Sequence, residues 1–177
     1  MRPAVAAFVG LGALALAGCA HRGAYHSVPE QRTLLPQWNL DAAPHFLVMS
    51  QPNLDRFVLR DIHPAEGGAP WRWTGQKPAV RLRIPFREGF AARADFVTAR
   101  ESFSHTGPLT ARLRLNGCVL AEVFCHSERE YRLEKPTPPA CLAREGDQHL
   151  SLELDKVHRE PGGRALGVIL LRMGFTD

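Results

Sequence analysis

Side chains two residues apart on a strand share a face, and several residues able to bind a ligand stand at that spacing. Trp71 and Trp73 form one such pair, Arg81 and Arg83 a second, Arg112 and Arg114 a third. Two indole rings on one face can stack on the apolar face of a sugar. They can equally seal a core, and their place just before the first strongly alternating strand favours the seal. If the strands carrying the arginines are neighbours, four guanidinium groups make a basic patch suited to phosphate or carboxylate on a cell-surface polymer. The competing reading, which the abundance of Asp and Glu favours, is a solvated sheet face neutralised by carboxylates.

Catalytic and metal signatures are missing from the sequence. No two of the eight histidines stand at i, i+2 or i, i+4 spacing, and no H-E-x-x-H or C-x-x-C occurs. No metal or cofactor is expected. Cys125 and His126 are adjacent, so on a strand they point to opposite faces and do not make a nucleophile–base pair. G-x-S-x-G and the glycine-rich nucleotide loops do not occur either, so no catalytic residue is assigned. A glycosidase needs only two carboxylates, which leaves a small envelope hydrolase as the weakest of three functional readings.

The N-terminus carries chemistry of its own. Met1-Arg2-Pro3 is a short basic start, and Ala4 to Ala17 is apolar and uncharged. That run is shorter than the roughly 20 residues of a membrane-spanning helix and has the length of a secretion signal. It ends in Leu16-Ala17-Gly18-Cys19, which resembles the lipobox of bacterial lipoproteins. The resemblance implies cleavage after residue 18 and acylation of the Cys19 thiol. With three acyl chains the attachment to the membrane is effectively permanent. Ala20, rather than Asp, follows the cysteine, which points to the outer membrane of a Gram-negative cell, facing the periplasm or the surface. Residues 19–44 read as a tether broken by Pro29, Pro36 and Pro44. Within it, Leu34, Leu35, Trp38 and Leu40 form either a packing arm or a sticky segment for a partner. The net charge of +4 is mild and its basic residues are spread along the chain, which excludes nucleic acid as a partner.

From 45 to 177 the alternation is that of strands. Val80, Leu82 and Ile84 alternate with Arg81 and Arg83, and Ala111, Leu113 and Leu115 with Arg112 and Arg114. Asn116-Gly117 then predicts a tight hairpin turn, with Cys118 to Phe124 as the return strand. Phe57, Leu59 and Asp61 are expected on one face, and Leu150, Leu152 and Leu154 on another. Leu166 to Phe175 reads as a central strand covered on both sides. Only 88–94 offers a turn of helix. Eight or nine strands predict an all-β, jelly-roll-like β-sandwich.

Three segments add a resemblance. Trp71-Arg72-Trp73-Thr74, Leu113-Arg114-Leu115-Asn116-Gly117 and Pro161-Gly162-Gly163-Arg164-Ala165-Leu166-Gly167-Val168 look like the motifs of a β-sandwich accessory module of surface-polysaccharide glycosyltransferases. The likeness runs from about Arg56 to Phe175, with Gly162 standing where the motif has Asp. It implies a non-catalytic, carbohydrate-binding-like domain. It also implies structural roles for Asn116, Gly117, Arg164 and Gly167, with Arg164 needing a carboxylate or carbonyl partner.

Export to an oxidising compartment makes one disulfide the expectation for Cys118, Cys125 and Cys141. The pairing favoured by position is Cys125 with Cys141, tying the end of a strand to the far end of the loop Pro136-Thr137-Pro138-Pro139. Cys118 with Cys141 is the rival pairing, and no bridge at all is the third alternative. The sequence thus predicts a lipid-anchored envelope lipoprotein whose β-sandwich binds or organises a cell-surface partner, carbohydrate in class. The alternative is a structural or protein-interaction lipoprotein of an envelope assembly.

Overall fold

The computed structural model describes residues 43–84 and 89–176. They fall within one compact unit, Asn39–Asp177. The signal segment 1–18, Cys19 and the tether up to residue 42 lie outside the described residues.

Eleven strands and one short helix follow one another: β1 (Phe46–Val48), β2 (Val58–Ile62), β3 (Arg72–Leu82), β4 (Ala91–Val97), α1 (Arg100–Thr106), β5 (Leu109–Leu115), β6 (Cys118–Cys125), β7 (Glu130–Pro136), β8 (Gln148–Leu154), β9 (His158–Arg159), β10 (Ala165–Leu166) and β11 (Ile169–Thr176). Every pairing is antiparallel. One layer runs β1–β11–β4–β7 and the other β2–β3–β8–β5–β6. β3 belongs to both. Its first residues, Arg72 and Trp73, pair with Leu170 and Ile169 of β11, and its last four pair with β8. The fold is the all-β sandwich that the alternation predicts.

Alternation explains how the layers face each other. Leu109, Ala111, Leu113 and Leu115 of β5 are buried, as are Leu150, Leu152 and Leu154 of β8. They share one core with Leu47, Phe96, Met173 and Phe175 of the other layer. Burying each leucine contributes about 2 kcal/mol before chain entropy is subtracted. Asn116 and Gly117 join β5 to β6 with φ of 48° and 90°, the left-handed pair that a two-residue hairpin turn requires.

Three expectations are corrected. The helical turn over 88–94 is strand β4 from Ala91 onward, because hydrogen-bonding to β7 and β11 on its two sides outweighs the helix preference of its alanines. The helix is α1 instead, only two turns long. Phe57, Leu59 and Asp61 do not share a face. Register shifts interrupt the β2–β3 pairing, Asp61 has φ 54°, and Leu59 is exposed while Phe57 is buried. The strand expected over Leu166 to Phe175 is split into β10 and β11 at Gly167-Val168. There the chain leans on β3: Gly167 N–H donates to Thr74 O, and Thr74 N–H to Val168 O. A Cβ on Gly167 would stand 2.5 Å from Leu154 Cδ1 and 2.6 Å from Gly75 O, so only glycine fits this approach.

A polar staple crosses the β11–β4–β7 layer. Asp95 of β4, fully buried, pairs in register with Arg132 of β7 and Arg172 of β11. Its carboxylate lies 2.6 Å from Arg93 Nη2, 2.9 Å from Arg132 Nε and 3.1 Å from Arg172 Nε. Burial pushes its pKa up, but hydrogen bonds from Arg93 and Arg132 outweigh that and hold it below the usual carboxylate value.

Candidate ligand-binding site

The outer face of the β2–β3–β8–β5 sheet is concave. With the leucines of β5 and β8 turned inward, the alternate residues must point to solvent. They wall a groove of about 620 Å³. Lys77 and Ala79 come from β3, Arg114 from β5, His149, Ser151 and Glu153 from β8. Leu59 and Arg60 close one side, Asn116 and Asp147 the other.

The polar groups are held in place. Glu153 lies 3.2 Å from Lys77 Nζ. Arg114 Nε is 2.6 Å from Glu153 Oε2, in ion-pair contact but out of line for a hydrogen bond, while Arg114 Nη1 donates to Gly117 O at 3.0 Å. The hydrogen bond from Lys77 and the charge of Arg114 hold the Glu153 carboxyl below its usual range despite partial burial. Arg60 Nε donates to Lys77 O at 3.1 Å. Asn116 Nδ2 donates to Cys141 O at 2.8 Å and to Gln148 Oε1 at 2.7 Å, and its Oδ1 accepts from His149 N–H. Gln148, wholly buried, also accepts from Ala143 N–H at 2.8 Å. These bonds fix the 139–147 loop as the groove's far wall.

The four arginines of the anticipated patch are dispersed. β8 lies between β3 and β5 and brings Glu153 with it, so the strands carrying them are not neighbours. Of the four, Arg114 lines the groove. Arg112 pairs with Glu122 of β6. Arg81 donates to Asp147 at 3.3 Å and to Arg56 O at 3.0 Å, and stacks over Phe57. Arg83 lies beyond the end of β3, its amide bonded to Pro44 O. Nor do Trp71 and Trp73 form a platform. They meet edge-on with centroids 6.3 Å apart, and Trp73 is buried with Ala99 and Leu166 in a small second core. Arg164 pairs with Glu66 at the surface.

The Cys125–Cys141 bridge is not formed. Cys118, Cys125 and Cys141 are free thiols. Cys125 sits across from Leu109 and Cys118 across from Leu115, so they mark opposite ends of β6, roughly 24 Å apart at strand rise. Asn116 and Gln148 draw Cys141 to the Cys118 end. Burial pushes the Cys125 thiol up to about 12, whereas the Cys141 thiol is raised chiefly by the neighbouring Cys118 side chain, with a smaller effect of burial.

No protein-family model matches this sequence, and no curated protein matches it. Among solved structures, one similar to it is described as "Carbohydrate-Binding Module CBM36 in complex with calcium and xylotriose". The TM-score is 0.41 and the identity 12%, over 74% of this chain and 98% of that one. Among the described residues, no group of three His, Cys, Asp or Glu gathers to hold a metal ion, and no helix is long and apolar enough to cross a membrane.

Arg60, Lys77, Asp147, His149, Ser151 and Glu153 were not legible as site residues. For Lys77, His149, Ser151 and Glu153 the signal was the polar half of the alternation in β3 and β8, while Arg60 in β2 and Asp147 in the loop before β8 had none. What the sequence lacked was the strand order that makes them neighbours.

Proposed function

We propose that the chain is a lipid-anchored envelope protein whose sandwich is a non-catalytic module binding carbohydrate in the β2–β3–β8–β5 groove. The observation carrying this reading is the groove itself. Amide, carboxylate and guanidinium groups held by hydrogen bonds and ion pairs stand with the Ser151 hydroxyl around a small apolar surface made chiefly by Leu59. Sugar hydroxyls need donors and acceptors fixed in advance, while the C–H face of a pyranose needs apolar contact. Acid catalysis needs the reverse of what Glu153 has: a glycosidase acid is protonated because its pKa is raised, and Lys77 and Arg114 hold Glu153 ionised. Anchoring through Cys19 rests on the lipobox.

A glycan array probed with the purified protein tests the reading. Retention of one glycan class is expected, weakened at least tenfold, or about 1.4 kcal/mol, by Arg114→Ala or Ser151→Ala. A protein that retains no glycan, or variants that bind as the wild type does, would overturn it. A second reading, a protein-interaction role, draws on β6, the last strand of its sheet, where Val119 and Phe124 are 52% and 61% exposed. Pull-down from envelope extract that depends on Phe124 would favour it.

A further inference from the structure

We propose that Cys118 and Cys141 are a disulfide-forming pair that clips the far wall of the groove to the Asn116-Gly117 turn. The two cysteines are brought together by bonds that do not involve sulfur. Cys118 opens β6 immediately after the turn. Asn116, within that turn, donates to the carbonyl of Cys141 at 2.8 Å. Cys141 closes a 3-10 turn, Pro139–Cys141, with its amide bonded to Pro138 O. The Cys118 side chain lies close enough to raise the Cys141 thiol above its usual value, and both residues are partly exposed. A disulfide needs the sulfurs to close to about 2 Å without moving the strands, and a short turn at the end of a loop supplies that freedom. Cys125, buried at the other end of β6, is the built-in control.

The chemistry is thiol–disulfide exchange with an external disulfide, either a small one or that of a protein oxidant. The thiolate of one cysteine attacks that disulfide, forming a mixed disulfide and expelling one thiolate. The thiolate of the second cysteine then attacks the protein sulfur of the mixed disulfide, forming the Cys118–Cys141 bond and expelling the other. The two protein sulfurs are oxidised by two electrons, the external disulfide is reduced, and its two thiols carry away the two protons. The closed loop leaves one layer through β6, crosses to the other through β7, and returns at Cys141. The clip therefore closes, at the groove's edge, a loop of chain that visits both layers.

Incubating the purified full chain with glutathione disulfide at about pH 8, followed by non-reducing peptide mapping, tests this. The expected product is a peptide pair linked Cys118–Cys141, with Cys125 alkylated only after unfolding and a melting temperature several degrees higher than that of the reduced protein. Cys118→Ser should leave Cys141 carrying one glutathione in place of the link, showing that this thiol is reachable and lacks its partner. Two outcomes overturn the proposal: a wild-type protein carrying glutathione separately on Cys118 and Cys141, or any link through Cys125. Both are independent of whether the groove binds a glycan.

Discussion

Asp95→Asn keeps the shape of the side chain at the centre of the polar staple and removes its charge. The carboxylate is shut off from solvent, while its partners are not: the side chains of Arg93, Arg132 and Arg172 are 16%, 51% and 44% exposed. Arg132 and Arg172 can recover hydration, so their loss is that of screened surface pairs, at most about 1 kcal/mol each. Arg93 cannot, and losing a charge-assisted hydrogen bond there costs about 1.5–3 kcal/mol. The total is about 3 kcal/mol at neutral pH, or a fall of roughly 10 °C in melting temperature for a domain of this size. The pH dependence has a fixed sign. Because the folded pKa of Asp95 lies below its unfolded value, near 3.9, its contribution is fully present above that value. It is lost as pH falls through the folded pKa. Urea titrations of both proteins from pH 7 to pH 3 should therefore show the stability gap constant down to about pH 5 and narrowing below about pH 4. A gap that stays the same across that range, or one under about 0.5 kcal/mol at pH 7, refutes the reasoning.

Gly167→Ala places a methyl group against Gly75 O and Leu154 and should destabilise the domain by about 1–3 kcal/mol, read as a lower urea midpoint at unchanged m-value. Arg164→Ala should cost no more than about 1 kcal/mol by the same measurement, because its Glu66 pair is at the surface. Cys19→Ala should abolish incorporation of labelled palmitate and leave the signal uncleaved. A variant still cut after Gly18 and still partitioning into detergent would show the lipobox reading to be wrong.

Elements defined by their own residues were legible, and arrangements defined by distant ones were not. The β5–β6 hairpin could be read because leucine alternates with arginine up to an Asn-Gly pair, all within one local stretch. β8 was legible in the same way. β7 escaped notice because Tyr131 and Leu133 are its only buried side chains, too few to mark a period. α1 escaped because its single buried residue is Ser102, which donates to Gly167 O at 2.7 Å. The arginine patch failed on strand order, since the insertion of β8 between β3 and β5 is decided by packing across the whole domain. The cysteine pairing turned on the same kind of distance. The 139–147 loop folds back to the hairpin turn because Asn116 and Gln148 bind it there, and nothing adjacent to Cys141 in sequence announces that.

The first and last strands of the sandwich depend on each other. β11 hydrogen-bonds to β1, β3 and β4 at once, so three strands from the first half of the domain have no complete set of partners until the final residues arrive. Contacts this far apart in sequence form slowly. A chain still being made lacks the strand that closes the fold. Such a chain commits to its structure only once its last residues are released. Truncation before Ile169 should therefore leave an unfolded, protease-sensitive polypeptide rather than a shortened sandwich.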